Sequence, residues 1–249
     1  MADPIHQFKI DELFPVVNIA GHQIHFTNSA CYMLLTVGLT AALMLGPTAA
    51  RRLVPTRMQS LAEMSYEFIA NTIRSTAGEQ GLTFFPLVFS LFMFVLVSNV
   101  IGLIPFAFTV SSHIIVTASL ALLVFFTVIV YGFYKHGLGF LRLFVPHGIP
   151  IYILPLIVVI ELLSFLSRPI SHSVRLFANM LAGHITLKLV ASFVSMIGAF
   201  GFVGWLGATL PLAFTVALTA LELLVACLQA YVFAILTCIY LNDAIHPGH

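Results

Sequence analysis

Long, unbroken apolar runs constrain this chain more than any other feature. A bilayer's hydrocarbon core is about 30 Å thick and takes about 20 apolar residues as a helix. Residues 30–50, 84–104 and 114–134 each meet that length. The first run ends at Arg51 and Arg52, the second is closed by Pro105, and the third ends at Lys135. Composition points the same way. Of 249 residues, 60% are hydrophobic and only 8% are charged, against about 25% charged in a soluble domain. The net charge of +1 provides no broad field for nucleic acid or an acidic substrate. The expected fold class is therefore all-α integral membrane, in a single membrane domain covering residues 1–249.

The segments between the runs refine this expectation. Residues 1–29 form an N-terminal outer segment; its start, MADPIHQFKIDELF, has acidic residues and no apolar core of a cleavable signal. In residues 55–78, Met58, Leu61, Met64, Ile69 and Ile73 alternate with Arg57, Glu63, Glu67 and Arg74 at helical spacing, after a Pro55 suited to a helix start. This spacing predicts an amphipathic helix lying on the membrane surface. Arg51, Arg52, Arg57, Lys135 and Arg142 mark the cytoplasmic side, whereas the stretch 105–113 has no Lys or Arg and is expected to face outward. The N-terminus is then periplasmic and the C-terminus cytoplasmic.

Residues 149–197 show no clear turn, although Pro150, Pro155 and Pro169 can bend a helix. A straight helix of that length would be about 70 Å long, more than twice the hydrocarbon thickness. It must either break at SRPISH or tilt strongly. The glycine-rich IGAFGFVGWLG supplies a turn, and a second long run covers residues 205–241. We expect a hairpin of two long, strongly tilted helices. There is no internal repeat of the kind secondary transporters carry. The three cysteines lie in apolar runs without pairing motifs and read as small buried hydrophobes.

Against this apolar background the polar residues stand out, because insertion of a central Arg or Asp costs roughly 2.5–3.5 kcal/mol. The first long run holds Glu161, Arg168, His172, Arg175, His184 and Lys188. At 100° per residue, Glu161, Arg168, His172, Arg175 and Asn179 fall within roughly 60° and form one stripe, with His184 and Lys188 on the other side. The second run holds Glu222 and Gln229, seven apart and nearly on one face. Glu161 and Glu222 have no structural reason to sit in an apolar helix. Arg175 cannot shed its proton, and Glu161 lies about 21 Å away along the same helix. Its carboxylate partner must come from another helix or another chain. Ten histidines raise a metal or haem reading, but no HxxHH or HExxH occurs and Glu161, His172 and His184 do not share a face. No metal or other cofactor is expected.

SRPISHSVRLFANMLAGH followed by ELLVACLQAYVFAILTCIYL resembles subunit a of F-type ATP synthases, and SNVIGLIPFAFT resembles that family's second-span motif. The likeness runs from about Arg51 to Asp243. It implies a stator beside a rotating ring of c subunits, with peripheral-stalk b-type subunits, the other ATP synthase subunits and lipid as partners, and no nucleic acid. The arginine of RLFANM, here Arg175, corresponds to the family's essential charge, and a ring carboxylate would be its partner. Asn179, Gln229 and Glu161 match the family's asparagine one turn on, its facing glutamine and an acid near two offset aqueous half-channels. Many bacterial members carry an acid where this chain has His184 and a histidine where it has Glu222. The exchange in this chain is like that of mitochondrial and related bacterial members. The resemblance also implies a bacterial inner membrane rather than a mitochondrial one.

The chain has no GxxxxGK[ST] phosphate-binding motif, so nucleotide chemistry is expected on other subunits and this one is no enzyme on its own. Two rivals are a self-sufficient secondary transporter, which would take up solute without a ring, and a membrane enzyme with a histidine-bound metal.

Overall fold

The computed structural model describes residues 9–10, 12–19, 22–49, 55–104, 107–145 and 152–246. Arg51, Arg52, Pro105 and Pro150, to which sequence reading gave boundary or bending roles, lie outside them. In chain order come strands β1 (Glu12–Ile19) and β2 (His22–Thr27), then helices α1 (Asn28–Ala49), α2 (Arg57–Gly81), α3 (Phe85–Gly102), α4 (Ile114–His136), α5 (Leu154–Gly198) and α6 (Gly201–Ile245). Short 3-10 segments occupy Leu82–Phe84, Val110–Ser112 and Gly137–Phe144. Five helical segments among the described residues are long and apolar enough to cross a membrane. The fold is that of an all-α integral membrane protein, whose helices satisfy their backbone polar groups internally, as lipid requires.

One element escapes a reading based on apolar runs. β1 and β2 form an antiparallel hairpin that pairs Glu12 with Thr27 and Ile19 with His22. Glu12 and His25 also lie 3.4 Å apart across it. The segment is too short and too polar to register as a span.

α2 starts at Thr56, whose hydroxyl accepts the Gln59 amide at 3.3 Å, satisfying one of the free donors at a helix start. Ala62, Ile69, Ala70, Ile73 and Ala77 make its buried face. Glu63, Glu67 and Arg74 are exposed, as are Met58, Leu61, Met64 and Phe68. The 3-10 turn Leu82–Phe84 separates α2 from α3, and within α2 the backbone leaves helical geometry at Gly78 (φ 68°, ψ −171°), which kinks the helix there.

α5 passes through Pro169 and does not break at SRPISH. A proline inside a helix removes one intrahelical donor at a cost of about 3 kcal/mol, which the packing of this helix against its neighbours must exceed. α5 and α6 each have 45 residues and are separated only by Ala199 and Phe200. Gly201 reverses the chain with φ 76°, a region that penalises side chains. A side chain at Gly204 would run into the Ile197 carbonyl. The glycines of this stretch therefore make a tight turn, not a loop.

The chain divides into two compact units interleaved in sequence. One combines the residues up to Thr40 with Phe94–His113 and Leu176–Ala230. The other combines Ala41–Met93, Ile114–Arg175 and the residues from Tyr231 on. In the second unit, fully buried Ile69, Ile73, Val88, Val124, Val128 and Phe140 make a core; Gly132 gives Phe140 its place, since any side chain there would overlap the ring. In the first, Val95, Val110, Leu176, Met180, Ala226 and Ala230 are buried together with polar groups. Large apolar side chains cover much of the outside, among them Leu34, Phe126, Val130, Leu163 and Leu224, as expected where lipid is the solvent. Cysteine placement corrects the sequence reading. All three are free, but only Cys238 is buried, whereas Cys31 and Cys227 are exposed. Lipid-facing surface accepts a small apolar thiol as readily as a core does.

Candidate functional site

Polar side chains buried inside these apolar helices gather in two places, one in each unit.

In the first unit, α5 and α6 run side by side. His184 and Glu222 are 5% and 6% exposed, and His184 Nδ1 lies 3.7 Å from Glu222 Oε1. This approach depends on Gly183, because a methyl group there would sit 2.5 Å from Glu222 Oε1. Among the described residues, neither carboxylate oxygen of Glu222 has a hydrogen-bond partner. A buried acceptor in that condition costs about 1–3 kcal/mol. Further along, Asn179 Nδ2 donates to Gln229 Oε1 at 3.2 Å. His184 is buried while Asn179 is exposed.

The stretch between α3 and α4 adds polar groups that sequence reading missed. Ala107, Phe108, Thr109, Val110, Ser111 and Ser112 are all buried. They are apolar or carry a single hydroxyl, so the segment packs against the helices at little cost. Thr109 Oγ1 lies 3.2 Å from His184 Nε2. Ser111 Oγ donates to Asn99 Oδ1 at 2.6 Å, and Asn99 Nδ2 donates to the Ala226 carbonyl at 3.4 Å. His113, at the end of this segment, stacks on Phe108 with ring centroids 4.9 Å apart, and burial lowers its pKa from the usual 6.5. The available signal was the density of hydroxyls in FTVSSH and the lone Asn99 in an apolar helix.

In the second unit the predicted stripe divides by environment. His172 is buried, with its ring 3.9 Å from that of Phe233 and 5.8 Å from that of Tyr240. Its Nε2 has no hydrogen-bond partner among the described residues. Ser173 and Thr117 share a hydrogen bond of 3.1 Å. Arg168, another member of that stripe, donates to Asp243 at 2.6 Å between the rings of Phe165 and Tyr240. Asp243 was the missed partner; an acid in the last turn of an apolar helix was its only signal. Glu161 is half-buried and Arg175 is exposed. Among the described residues neither takes part in an ion pair within 4.0 Å. No group of three or more His, Cys, Asp or Glu converges among them as a metal would require.

The arrangement thus offers a buried acid–imidazole pair in one unit and, in the other, a fixed cation with no acid within 4.0 Å among the described residues. A carboxyl and an imidazole can each take up, hold and release a proton, whereas the guanidinium stays charged throughout.

Comparison with known proteins adds an independent line. The family model described as ATP synthase A chain matches residues 30–242. The chain is 70% identical over 249 residues, the full length of both, to a Nitrobacter winogradskyi protein named ATP synthase subunit a. It is 71% identical over 248 residues, 100% of this chain and 99% of the relative, to a protein of the same name from Rhodopseudomonas palustris. An Afipia carboxidovorans relative, also so named, is 67% identical over the full length of both.

Proposed function

Because the chain belongs to the ATP synthase A chain family, we propose that it is the stator half of a rotary proton path, with Arg175 dividing two offset half-channels. At the coarser level it is a proton-translocating membrane subunit of an F-type ATP synthase, a multi-pass protein of a bacterial inner membrane, with other ATP synthase subunits as partners.

The observation that carries the finer reading is Arg175. A permanent cation in a membrane helix needs an acid, and among the described residues this exposed guanidinium has none within ion-pair distance. A carboxylate on a neighbouring c-ring subunit supplies it. A proton from the periplasmic side reaches that ring carboxylate by way of Glu222 and His184. The neutral carboxyl then moves into lipid, where its ionised form would meet a large desolvation cost. On its return it approaches Arg175 from the other side. The fixed charge favours the ionised carboxyl, and its proton leaves to the cytoplasmic side. Glu161 lies near that exit. Arg175 also repels any proton attempting to pass directly between the channels. Asn179 and Gln229, hydrogen-bonded to each other, hold the surface that the ring passes, and b-type subunits keep the stator from turning. Each proton crossing 100 mV supplies about 2.3 kcal/mol, so several are needed per ATP. α5 and α6 lie strongly tilted in the bilayer, since about 68 Å of helix cannot stand upright in about 30 Å of hydrocarbon. α2 rests at the cytoplasmic membrane surface.

The test is Arg175→Ala. Proton-driven ATP synthesis in membrane vesicles is expected to vanish while the complex still assembles; normal synthesis would overturn the reading.

A further inference from the structure

We propose that Thr109 is a positioning residue of the proton-input pair: its hydroxyl fixes which ring nitrogen of His184 faces Glu222 and lets the ring exchange tautomers without leaving its place. The proposal rests on His184 and Glu222 forming the proton-input path.

Three observations carry it. First, Thr109 has no exposed surface, and its Oγ1 is 3.2 Å from His184 Nε2, while the other ring nitrogen, Nδ1, lies 3.7 Å from Glu222 Oε1. The imidazole is thus held between a hydroxyl and a carboxyl. Second, the segment that carries the hydroxyl is itself anchored. The Thr109 carbonyl accepts the Ser112 hydroxyl at 2.6 Å, and Ser111 is bound to Asn99, which is bound to the Ala226 carbonyl one turn beyond Glu222. Third, Gly102 lies against the Thr109 side chain: a methyl there would be 2.8 Å from Thr109 Cγ2. The helix gives up a side chain at this point, and Thr109 fits against it.

The chemistry follows from the donor inventory. A neutral imidazole donates from one nitrogen and accepts at the other, whereas a hydroxyl does either by rotating. With Glu222 ionised, His184 points Nδ1–H at the carboxylate, and the Thr109 hydroxyl donates to Nε2. When a proton from the outer aqueous phase is taken up at Nε2, the Nδ1 proton passes to Glu222. His184 ends neutral with its proton on Nε2, and Thr109 now accepts from it. One proton is gained, Glu222 becomes neutral, and the only bonds exchanged are N–H and O–H. A side chain that only donated or only accepted would stabilise one of these states and oppose the other.

The experiment measures passive proton conduction through the membrane sector of the assembled complex, in inverted vesicles stripped of the catalytic head, with subunit abundance followed by immunoblot. Thr109→Val keeps the shape and loses the hydroxyl; Thr109→Ser keeps the hydroxyl and leaves a gap. The expected result is at least a tenfold loss in T109V, with T109S within about threefold of the parent. A role in packing alone predicts the reverse order, and that order, or equal conduction in the two, overturns the proposal. If T109V does not assemble, T109A replaces it, with T109S expected to conduct at least tenfold better and equality overturning the proposal. Glu222→Gln is the control for the underlying reading. Full conduction in that variant removes the acid–imidazole pair from the path, whereas its loss alongside normal conduction in T109V removes Thr109 alone.

Discussion

Glu222 shows how little room a buried carboxylate can occupy. His184 Nδ1 lies 3.7 Å from it, and the absence of a side chain at Gly183 leaves space for its oxygens. Gly183→Ala is therefore expected to displace the carboxylate and reduce proton conduction by about tenfold or more, on the scale of a misplaced reacting group, without loss of the subunit from the membrane. Conduction assays on stripped vesicles, paired with immunoblots, measure both. Unchanged conduction would mean that the carboxylate need not sit where it does. The same scale shows what spacing can reveal. Glu161, Arg175, Glu222 and Gln229 were legible because each is a polar group in an apolar run. Thr109 was not, because one hydroxyl in a polar-tolerant segment costs nothing that a sequence pattern registers.

At the scale of elements, the pairing of α5 with α6 depends on different interactions in each unit. In the first it uses Asn179 with Gln229 and His184 with Glu222. In the second, Arg168 and Asp243, each with 20% of its side chain exposed, form an ion pair between two aromatic rings. Removing one member leaves the other partly desolvated and alone. Asp243→Ala should then destabilise the subunit by about 1–3 kcal/mol, while the double variant with Arg168→Ala should lose less than the sum of the two single losses. Limited proteolysis of α5 and α6 in membranes at rising temperature measures this; additive losses would show that the two charges act separately. The hairpin of these two helices was expected from the sequence, but the side chains that join them were not. Periodicity reports which residues are apolar, but Asp243 lies 75 positions from Arg168, and no local pattern links them.

For the molecule as a whole, the asymmetry of Lys and Arg between segments predicts a periplasmic N-terminus and a cytoplasmic C-terminus. A fluorescent protein fused after His249 should fold and emit, and alkaline phosphatase fused at the same point should stay inactive; the opposite pair of results would invert the topology. The all-α membrane class was determined by sequence alone, because a bilayer permits few solutions for long apolar runs and the length of a run is itself the signal. The identity of the polar residues that such a chain can hold was determined in the same way, since each is costly wherever it lies in hydrocarbon. Tertiary structure alone decided their partners: which acid meets Arg168, which hydroxyl meets His184, and that the segment after α3 is buried where it supplies that hydroxyl. Those contacts join residues distant in the chain and depend on distances of a few ångströms, which composition and periodicity do not encode.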